Sequence, residues 1–429
     1  MELKKYRLGE IVDFNKETIS RQDNLLEIKY LDTSNILDNV IYETPSMKLS
    51  EAPSRAQRKV KHLTIIYSTV RPRLKHHGIL QMPPENLIVS TGFATLDIKD
   101  SYENMIDATY LYLLLTQSSV TEYLGNIADT AVSAYPSINP SDISSLSFIF
   151  PDITIQRKIA SIWTSYDQKI HLNSVINDNL EAMAKQLYDY WFVQFDFPNE
   201  EGKPYKSNGG VMVWNEDLHM SIPCTWNTCL LSDYIGSNNT GDWGFDEPAK
   251  KRSIKVGCIR GADIVKLNDL PIRYIKDNNT SKLLSAWDIV IEVSGGSPTQ
   301  ATGRSAFVTP GVLKRNGGNL TCSNFCHAFT MKDYKASAYF YFMWRMFYDN
   351  NNMFNFEGKT SGIKNFMTDT FLANKWLDVP TALLDLFFER VKVIYEQIDN
   401  NIEEINALTK QRDELLSLLM NGQASVNSD

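Results

Sequence analysis

Several features that would place this 429-residue chain in a membrane or outside the cell are missing from its sequence. No apolar run reaches about 18 residues, the length that a membrane-spanning helix requires. The first residues, MELKKYRLGEIV, contain two lysines without an apolar stretch behind them, so they do not resemble a secretion signal. The sequence therefore predicts a cytoplasmic protein without membrane contact.

Cysteine is scarce, with five residues that all lie in the second half of the chain. An odd number in a chain expected in a reducing compartment argues against a framework of disulfides. Cys224 with Cys229 and Cys322 with Cys326 could supply four thiolates to zinc. However, their spacings are loose and the first half has no equivalent. Free thiols and no bound metal are therefore expected.

Familiar catalytic motifs are also absent. The sequence has no phosphate-binding GxxxxGK loop, no dinucleotide-binding GxGxxG, no HExxH and no GxSxG. It also lacks the Asn-Pro-Pro-aromatic motif with which amino-methyltransferases hold a target base. Asp196, Glu201 and Lys203 are similar to a nuclease carboxylate–lysine set, but their polar surroundings are more typical of a solvated linker. The sequence thus predicts no catalytic site and no cofactor in this chain.

Glycine and proline are missing from residues 152–197, and a long helix is predicted over 151–197. Pro151 and Asp152 suit its first turn, because proline tolerates that position and an acid favours the positive end of the helix dipole. Residues on one face of this helix, which we call its seam, recur in alternating steps of four and three, as in a coiled coil. They are Ile159, Trp163, Tyr166, Ile170, Asn173, Asn177, Leu180, Ala184, Leu187 and Trp191.

A second long helix is predicted over 380–422, with each seam position 228 residues after one of the first. Its seam consists of Phe387, Val391, Ile394, Ile398, Asn401, Ile405, Leu408, Arg412, Leu415 and Leu419. Asn173 and Asn401 are therefore equivalent, and a buried asparagine can fix the register of paired helices. Two unrelated helices that share a heptad by chance are the alternative to a pair formed within the chain.

Two globular segments are predicted, at 1–150 and 211–379, and short stretches of the first align with stretches about 228 residues later in the second. Residues 30–36 align with 258–264, 64–68 with 288–292, 92–93 with 324–325 and 145–151 with 374–380. A linker rich in proline and glycine is predicted at 198–210, and a tail at 423–429. Apolar runs at 28–31, 63–67, 87–90 and 146–150 suit strands, and 110–115 with 117–124 suits a helix. The sequence thus predicts an α+β protein in which a mixed α/β domain and a long helix occur twice.

The net charge of −8 argues by itself against binding to nucleic acid, but the two long helices carry −6 of it. Residues 52–84 and 293–332 contain no acid, so their cations could neutralise phosphates or contact guanine. The candidates are Arg55, Arg58, Lys59, Lys61, Arg71, Arg73, Lys75 and His76 in the first segment and Gln300, Arg304, Lys314 and Arg315 in the second. A solvated loop is the alternative for each segment, and their matching places in the repeat favour DNA contact.

A polar loop with an aromatic residue precedes each long helix, at 130–139 and 358–366. Tyr135 and Asn139 in the first loop, and Lys359 and Lys364 in the second, could reach base edges. Simple turns are an equal alternative for both loops.

Short motifs accompany the two helices and the domain starts. The first helix contains YDQKI at 166–170, NDNLEAMA at 177–184 and YWFVQFD at 190–196, and the second contains QRDELLSLLMNGQ at 411–423. The domains start with YRLGEI at 6–11 and with IPCTW at 222–226 and LSDYI at 231–235. Together with the repeat and the linker, these motifs resemble one known family, the specificity subunits of type I restriction-modification systems.

This resemblance implies two target-recognition domains separated by two helices that pair as an antiparallel coiled coil, in a pseudo-twofold internal repeat. Each domain would recognise one half of a bipartite double-stranded DNA site, and the helices would set the spacer. The chain itself would not be an enzyme. It would recruit two methylation subunits that bind S-adenosylmethionine, and through them restriction subunits that use ATP and magnesium.

A DNA specificity subunit is therefore the predicted function. One alternative is a self-contained nuclease or methyltransferase whose site the motifs do not reveal. Another is a coiled-coil scaffold with two protein-binding heads, although the acid-free segments favour DNA.

Overall fold

The structure is a computed structural model that describes residues 3–20, 23, 25–130, 135–297, 299–360, 362–420 and 423. The chain is organised as two units: unit 1 comprises 1–168 and 408–429, and unit 2 comprises 169–407. Each unit thus contains one predicted globular segment and part of each long helix. Among the described residues, no helix is both long enough and apolar enough to cross a membrane.

Unit 1 is built from short strands and helices that precede one long helix. Its strands are β1 Lys4–Arg7, β2 Val12–Phe14, β3 Glu27–Leu31, β4 Ile36–Leu37, β5 Val40–Ile41, β6 Ser46–Lys48, β7 Ala56–Lys59, β8 Ile65–Ser68, β9 His77–Ile79, β10 Leu87–Ser90, β11 Phe93–Ile98 and β12 Ser147–Phe150. Its helices are α1 Leu8–Ile11, α2 Ala108–Leu115, α3 Ser118–Asp129, α4 Pro140–Ser144 and the first part of α5 Ile153–Tyr188. The predicted strands appear as β3, β8, β10 and β12, and the predicted helix appears as α2 and α3.

Unit 2 begins within α5 and ends within the second long helix. Its strands are β13 Met212–Asn215, β14 Met220–Pro223, β15 Asn227–Leu230, β16 Ile235–Thr240, β17 Ile254–Ile259, β18 Ile272–Ile275, β19 Ile289–Glu292, β20 Ser294–Gly295, β21 Ser305–Phe307, β22 Leu320–Cys322, β23 Cys326–Met331, β24 Glu357–Thr360, β25 Ile363–Phe366 and β26 Lys375–Asp378. Its helices are α6 Pro310–Arg315, α7 Ser337–Asp349, α8 Thr368–Leu372 and most of α9 Thr381–Met420.

The strand order confirms the internal repeat. Unit 1 has sheets ordered β6-β3-β10-β7 and β2-β11-β8-β9, and unit 2 has sheets ordered β18-β17-β22 and β16-β23-β19-β21. The parallel pair β3–β10 corresponds to the parallel pair β17–β22. Strands β8 and β10 are buried along their whole length, which explains their continuous apolar sequences. Strand β7 has no counterpart among the described strands of unit 2.

Both units contain a hydrogen bond from a threonine hydroxyl to an aspartate, with the two residue types at exchanged positions. The Thr64 hydroxyl donates to Asp97 Oδ1 at 2.6 Å in unit 1. In unit 2 the Thr330 hydroxyl donates to Asp288 Oδ1 at 2.7 Å. This equivalence supports the predicted alignment of 64–68 with 288–292.

The predicted alignment of 92–93 with 324–325 is wrong by one residue. Phe93 pairs with Ser68 on β8, and Cys326 pairs with Glu292 on β19. Ser68 and Glu292 are equivalent, so Phe93 corresponds to Cys326 and Gly92 corresponds to Phe325. The error arose because two Phe residues one position out of register looked alike in sequence, whereas strand pairing fixes the register.

The long helices are shorter than predicted at some of their ends. Helix α5 begins at Ile153 because Asp152 Oδ1 accepts the N–H and hydroxyl of Thr154, at 2.9 and 2.7 Å. It ends at Tyr188 and continues as a π-helical turn over Asp189–Val193. Residues 421–422 of the second predicted helix lie outside the described residues.

The predicted seam residues are all buried or half-buried in the structure. In unit 2, Asn173 Nδ2 donates to Glu404 Oε2 at 2.9 Å, and Asn401 Nδ2 donates to Asn177 Oδ1 at 2.7 Å. The paired positions rise on α5 as they fall on α9, so the helices run antiparallel in this stretch. In unit 1, Trp163 of α5 and Leu419 of α9 belong to one hydrophobic core.

The segment predicted as a linker is packed against its neighbours. Phe197 and Tyr205 stack with their ring centroids 4.8 Å apart. Asp196 is buried and accepts the N–H and hydroxyl of Ser207, at 2.7 and 2.6 Å. Lys203 pairs instead with Glu201 at 2.9 Å, so these residues do not converge as a nuclease site would require.

His77 is expected to make unit 1 sensitive to acid. Burial lowers its pKa from 6.5 to about 4, an effect that Asp38 opposes and that Lys75 and His76 reinforce. Its Nδ1 lies 3.0 Å from the Tyr112 hydroxyl, and its buried Nε2 has no partner among the described residues. Between these pKa values the unfolded chain binds more protons than the folded one. Stability should therefore fall as the pH drops from 6.5 to 4, by about 3 kcal/mol in total.

Denaturant titrations of the wild type and a His77→Phe variant at several pH values would measure this effect. The variant should start less stable, because Tyr112 loses its partner, but its stability should depend less on pH in this window. Equal slopes for the two proteins would contradict the assignment to His77.

Candidate nucleic-acid interface

In unit 1, three separate segments meet at the turn between β10 and β11. Thr91 N–H donates to Arg55 O at 2.8 Å, and Thr69 N–H donates to Gly92 O at 2.9 Å. The loop that precedes α4 joins them, because Ile138 N–H donates to Thr69 O at 2.8 Å. We call this set, Arg55, Thr69–Arg71, Thr91–Gly92 and Tyr135–Ile138, the unit 1 corner. It brings together residues of the acid-free segment 52–84 and of the polar loop 130–139.

Arg71 is held in a special conformation at this corner. Its φ of 48° is left-handed, which is uncommon for a residue other than glycine, and Pro72 disfavours the right-handed helical conformation before it. Its N–H donates to Pro136 O at 2.9 Å, and its guanidinium lies 5.1 Å from the centre of the Tyr135 ring. The exposed guanidinium is thus supported by backbone and aromatic contacts.

The remaining cations of unit 1 fall into two groups. Arg73 binds Glu122 and Asp129 at 3.0 and 2.6 Å, and Lys59 binds Asp23 at 2.7 Å. Within the described part of the chain, the other six candidates form no ion pair; they are Arg55, Arg58, Lys61, Arg71, Lys75 and His76. Burial lowers the pKa of Arg58, whose Nε has no hydrogen-bond partner there.

In unit 2, the equivalent turn between β22 and β23 collects equivalent segments. Val293 N–H donates to Phe325 O at 2.8 Å, and Phe366 N–H donates to Val293 O at 2.8 Å. Strand β20 pairs with β25, and the Ser294 hydroxyl donates to Asn365 Oδ1 at 2.6 Å. We call this set, Ser294–Gly295, Asn324–Phe325 and Lys364–Phe366, the unit 2 corner.

Most of the predicted cations of unit 2 have carboxylate partners. Arg304 forms two bonds with Glu292, at 2.8 and 2.7 Å, and Lys364 lies 3.0 Å from Glu357 and 5.1 Å from the centre of the Phe354 ring. Lys314 and Arg315 bind Glu403 and Asp399 of helix α9, each at 2.8 Å. Because these four cations already have carboxylate partners, their contact with DNA stays a prediction.

The other predicted residues are spread over the two units. Gln300 is exposed, and its N–H donates to Ser297 Oγ at 3.1 Å. Asn139 precedes α4, and its N–H donates to Asp142 Oδ2 at 2.7 Å. Lys359 lies in β24, but its side chain is outside what the structure describes, as are residues 131–134 of the first polar loop.

Sequence reasoning missed an aromatic cleft beside the unit 2 corner. Trp243, Asn279, Asn324, Lys276 and Lys282 are among the residues that line this open cleft. Arg273 lies over Trp243, with its guanidinium carbon 4.2 Å from the ring centre, and its Nε donates to Trp243 O at 2.9 Å. The run TGDWGF at 240–245, where glycine alternates with aromatic residues, was the sequence signal for it.

The cysteines of unit 2 are thiols, and three of them are buried. Burial raises the pKa of Cys258 to about 12 and that of Cys326 to about 11, so both stay protonated at neutral pH. No group of three or more His, Cys, Asp or Glu residues in the described ranges has an arrangement that could hold a metal ion.

Comparison with known proteins relates the chain to one family. Residues 1–182 match the family model described as type I restriction modification DNA specificity domain. A type I restriction enzyme HindI specificity subunit from Haemophilus influenzae is 32% identical over 196 residues, which cover 45% of this chain and 41% of that protein. The MjaIX specificity subunit from Methanocaldococcus jannaschii is 26% identical over 361 residues, which cover 81% of this chain and 76% of that protein. The match thus spans less than half of the first relative and about three quarters of the second.

The fold as a whole has a solved counterpart. The crystal structure of a type I restriction-modification system S subunit from M. genitalium has a TM-score of 0.52 and 15% sequence identity, over 97% of this chain and 96% of that one. At this identity the likeness concerns the fold alone, and it extends over both units. Residues 1–182 are thus similar to a type I restriction modification DNA specificity domain, and both relatives are type I specificity subunits.

Proposed function

We propose that this chain is the DNA specificity subunit of a type I restriction-modification complex, with one recognition surface in each unit. The main support is the repeated corner. In both units the turn between equivalent strands gathers the acid-free segment and the polar loop that precedes a long helix. Two surfaces of one architecture but different side chains suit two different half-sites of a bipartite duplex.

The two corners present different chemistry. The unit 1 corner is arginine-rich, and an arginine supported by an aromatic ring can form two hydrogen bonds with a guanine edge. The unit 2 corner carries amides, a hydroxyl and an exposed aromatic ring, which suit adenine edges, phosphates and apolar base surfaces. We therefore propose Arg55, Arg71 and Tyr135 as the central contacts of unit 1.

The chain would act within a larger assembly. We propose that the long helices set the spacer between half-sites and dock two methylation subunits, with restriction subunits bound through them. S-adenosylmethionine, ATP and magnesium would then bind to those partners rather than to this chain. The acidic character of both helices suits protein partners better than phosphates.

Replacing Arg71 by Ala should weaken binding to the specific duplex by about tenfold to 100-fold, the usual loss for one two-bond arginine–guanine contact. The target would first be mapped from methylated adenines in cells that carry this chain with its methylation partner. Fluorescence anisotropy of the purified complex would then measure affinity for that duplex and for variants of each half-site.

Arg73→Ala is the matched control, because Arg73 lies two residues away but is bound to Glu122 and Asp129. It should change affinity less than about threefold, as expected for a surface charge already paired within the protein. The assignment would be wrong if both variants lost affinity equally, or if Arg71→Ala affected discrimination at the half-site of unit 2.

A further inference from the structure

Phe325 is an exposed aromatic side chain on a buried framework. The side chain is 55% exposed, whereas Cys322, Ser323 and Cys326 around it are buried. The core of unit 2 therefore gains little from this ring. An aromatic residue kept in water at the centre of a candidate interface is better explained by binding than by folding.

The backbone beneath Phe325 is fixed by four hydrogen bonds. Ser323 N–H donates to Ile259 O at 2.8 Å, and Cys326 N–H donates to Ser323 O at 2.9 Å. Phe325 O accepts the N–H groups of Val293 and Ser294, at 2.8 and 3.2 Å. The backbone that carries the ring is thus fixed, so it loses little conformational entropy on binding.

The turn itself does not require an aromatic residue. Its counterpart in unit 1 carries Gly92, whose carbonyl accepts the Thr69 N–H in the same way that Phe325 O accepts the Val293 N–H. The same backbone thus forms with no side chain at this position. The ring is an addition that distinguishes the second corner from the first.

The surroundings of Phe325 suit nucleic acid. Residues 293–332 contain no acid, and Asn324, Ser294 and Lys364 supply polar groups at the same corner. The Trp243 N–H donates to Asn324 Oδ1 at 3.0 Å, which connects the turn to the cleft that Lys276 and Lys282 line. The ring therefore belongs to a corner that also carries polar groups able to contact a phosphate backbone.

We infer that Phe325 packs its ring against base faces at one step of the half-site that unit 2 recognises, and partly unstacks that step. Apolar side chains inserted between base pairs are an established way to unstack and kink a duplex. This inference rests on the proposed function and adds a mode of recognition that the unit 1 corner, with glycine at this position, does not share. Flexible steps would be favoured there, because they unstack most easily.

The test compares Phe325→Ala, Phe325→Leu and Ile272→Ala in the complex with the methylation partner. Ile272 is a matched control, since its side chain is also 55% exposed in unit 2 but lies on strand β18. Duplexes with the mapped site would carry 2-aminopurine at successive positions of each half-site. Its fluorescence rises where a base loses its stacking partner.

In the wild-type complex, fluorescence should rise at one step of the unit 2 half-site other than the methylated adenine, which methyltransferases flip out of the stack in any case. Phe325→Ala should abolish that rise and weaken binding roughly fivefold to 100-fold, the range for one aromatic–base contact. Phe325→Leu should keep part of both effects, and Ile272→Ala should match the wild type. All variants should unfold at the same temperature.

Two results would overturn the inference. One is a wild-type complex that binds its site without any fluorescence rise in the unit 2 half-site besides that at the methylated adenine, which would mean that the ring contacts a groove edge instead. The other is a Phe325→Ala complex with unchanged affinity and signal. A wild-type complex that showed no preference for any duplex would refute the proposed function itself. Failure of the proposed function can therefore be distinguished from failure of the inference about Phe325.

Discussion

Replacing Asp399 by Ala is expected to lower the free energy of unfolding of unit 2 by about 3–5 kcal/mol, the usual loss when one member of a buried ion pair is removed. Asp399 lies on α9, and its Oδ1 accepts a hydrogen bond from Arg315 of α6 at 2.8 Å. Its Oδ2 accepts the Gly311 N–H at 3.1 Å. The side chains of Arg315 and Asp399 are each only 11% exposed, so the variant would leave a guanidinium buried without a counter-charge.

Local geometry makes this contact difficult to replace. A Cβ on Gly311 would lie 2.2 Å from Asp399 Cγ, so α6 approaches α9 closely only because glycine occupies that position. Relaxation should therefore recover little of the lost stability.

Two controls separate the buried charge from other effects of substitution. Lys314→Ala removes the neighbouring pair with Glu403, but Lys314 is 73% exposed, so the loss should stay below about 1 kcal/mol. The double variant Arg315→Met with Asp399→Leu replaces both charges by apolar groups, and its stability should recover to within about 2 kcal/mol of the wild type. Chemical denaturation would measure all three, and a loss below 1 kcal/mol for Asp399→Ala would contradict the prediction.

Lys314 and Arg315 also illustrate what charge patterns in a sequence do not reveal. Their acid-free segment predicted DNA contact, yet each binds a carboxylate of α9, about 85 to 90 positions later in the chain. Arg73 and Arg304 have comparable partners. Acids outside a basic segment can reach it in the folded state, and only tertiary structure decides whether a cation meets them or remains available for phosphate.

The long helices and the repeat were predictable because their signals are regular. A seam with steps of four and three depends only on helical geometry. The predicted seam positions, Ile170 and Ile398 among them, could therefore be identified as buried or half-buried without knowledge of any contact. The shared spacing between Asn173 and Asn401 showed that one pattern occurs twice. Both inferences needed only periodicity within the sequence.

The sheets and the corners were not predictable in the same way. Pairing of β3 with β10, and of β20 with β25, joins residues about 60 to 70 positions apart, and no local pattern encodes such partners. Phe325 was overlooked because a phenylalanine in an apolar sequence predicts burial. Its exposure follows from the turn, which lies between two strands whose other residues fill the core.

Residues at the ends of the long helices also belong to the hydrophobic cores of the two units. Tyr188, Trp191 and Phe192 at the end of α5 belong to the main core of unit 2. In unit 1, Trp163 packs against Tyr112 with ring centroids 5.6 Å apart, and Ile159 and Leu419 join the same core. Each unit is therefore incomplete when it is cut at the start of its helix.

A domain exchange should consequently succeed only when the graft includes these helix residues. Replacing residues 4–167 and 408–420 together by those of a type I specificity subunit with a different target should change preference for the first half-site by at least about three orders of magnitude, the usual gap between specific and non-specific binding. The second half-site should stay the same, because unit 2 keeps its own core and corner. Genome-wide mapping of methylated adenines in cells with the methylation partner would measure both half-sites.

A graft of residues 1–150 alone is the matched control. It would place a foreign surface against Trp163 and Leu419, and cavities or clashes of that kind destabilise a core by roughly 2–5 kcal/mol. This chimera should therefore yield less folded protein and weaker methylation, with the same new half-site where activity survives. If the complete graft changed both half-sites, the two units would not recognise DNA independently, and the assignment of one half-site to each corner would be wrong.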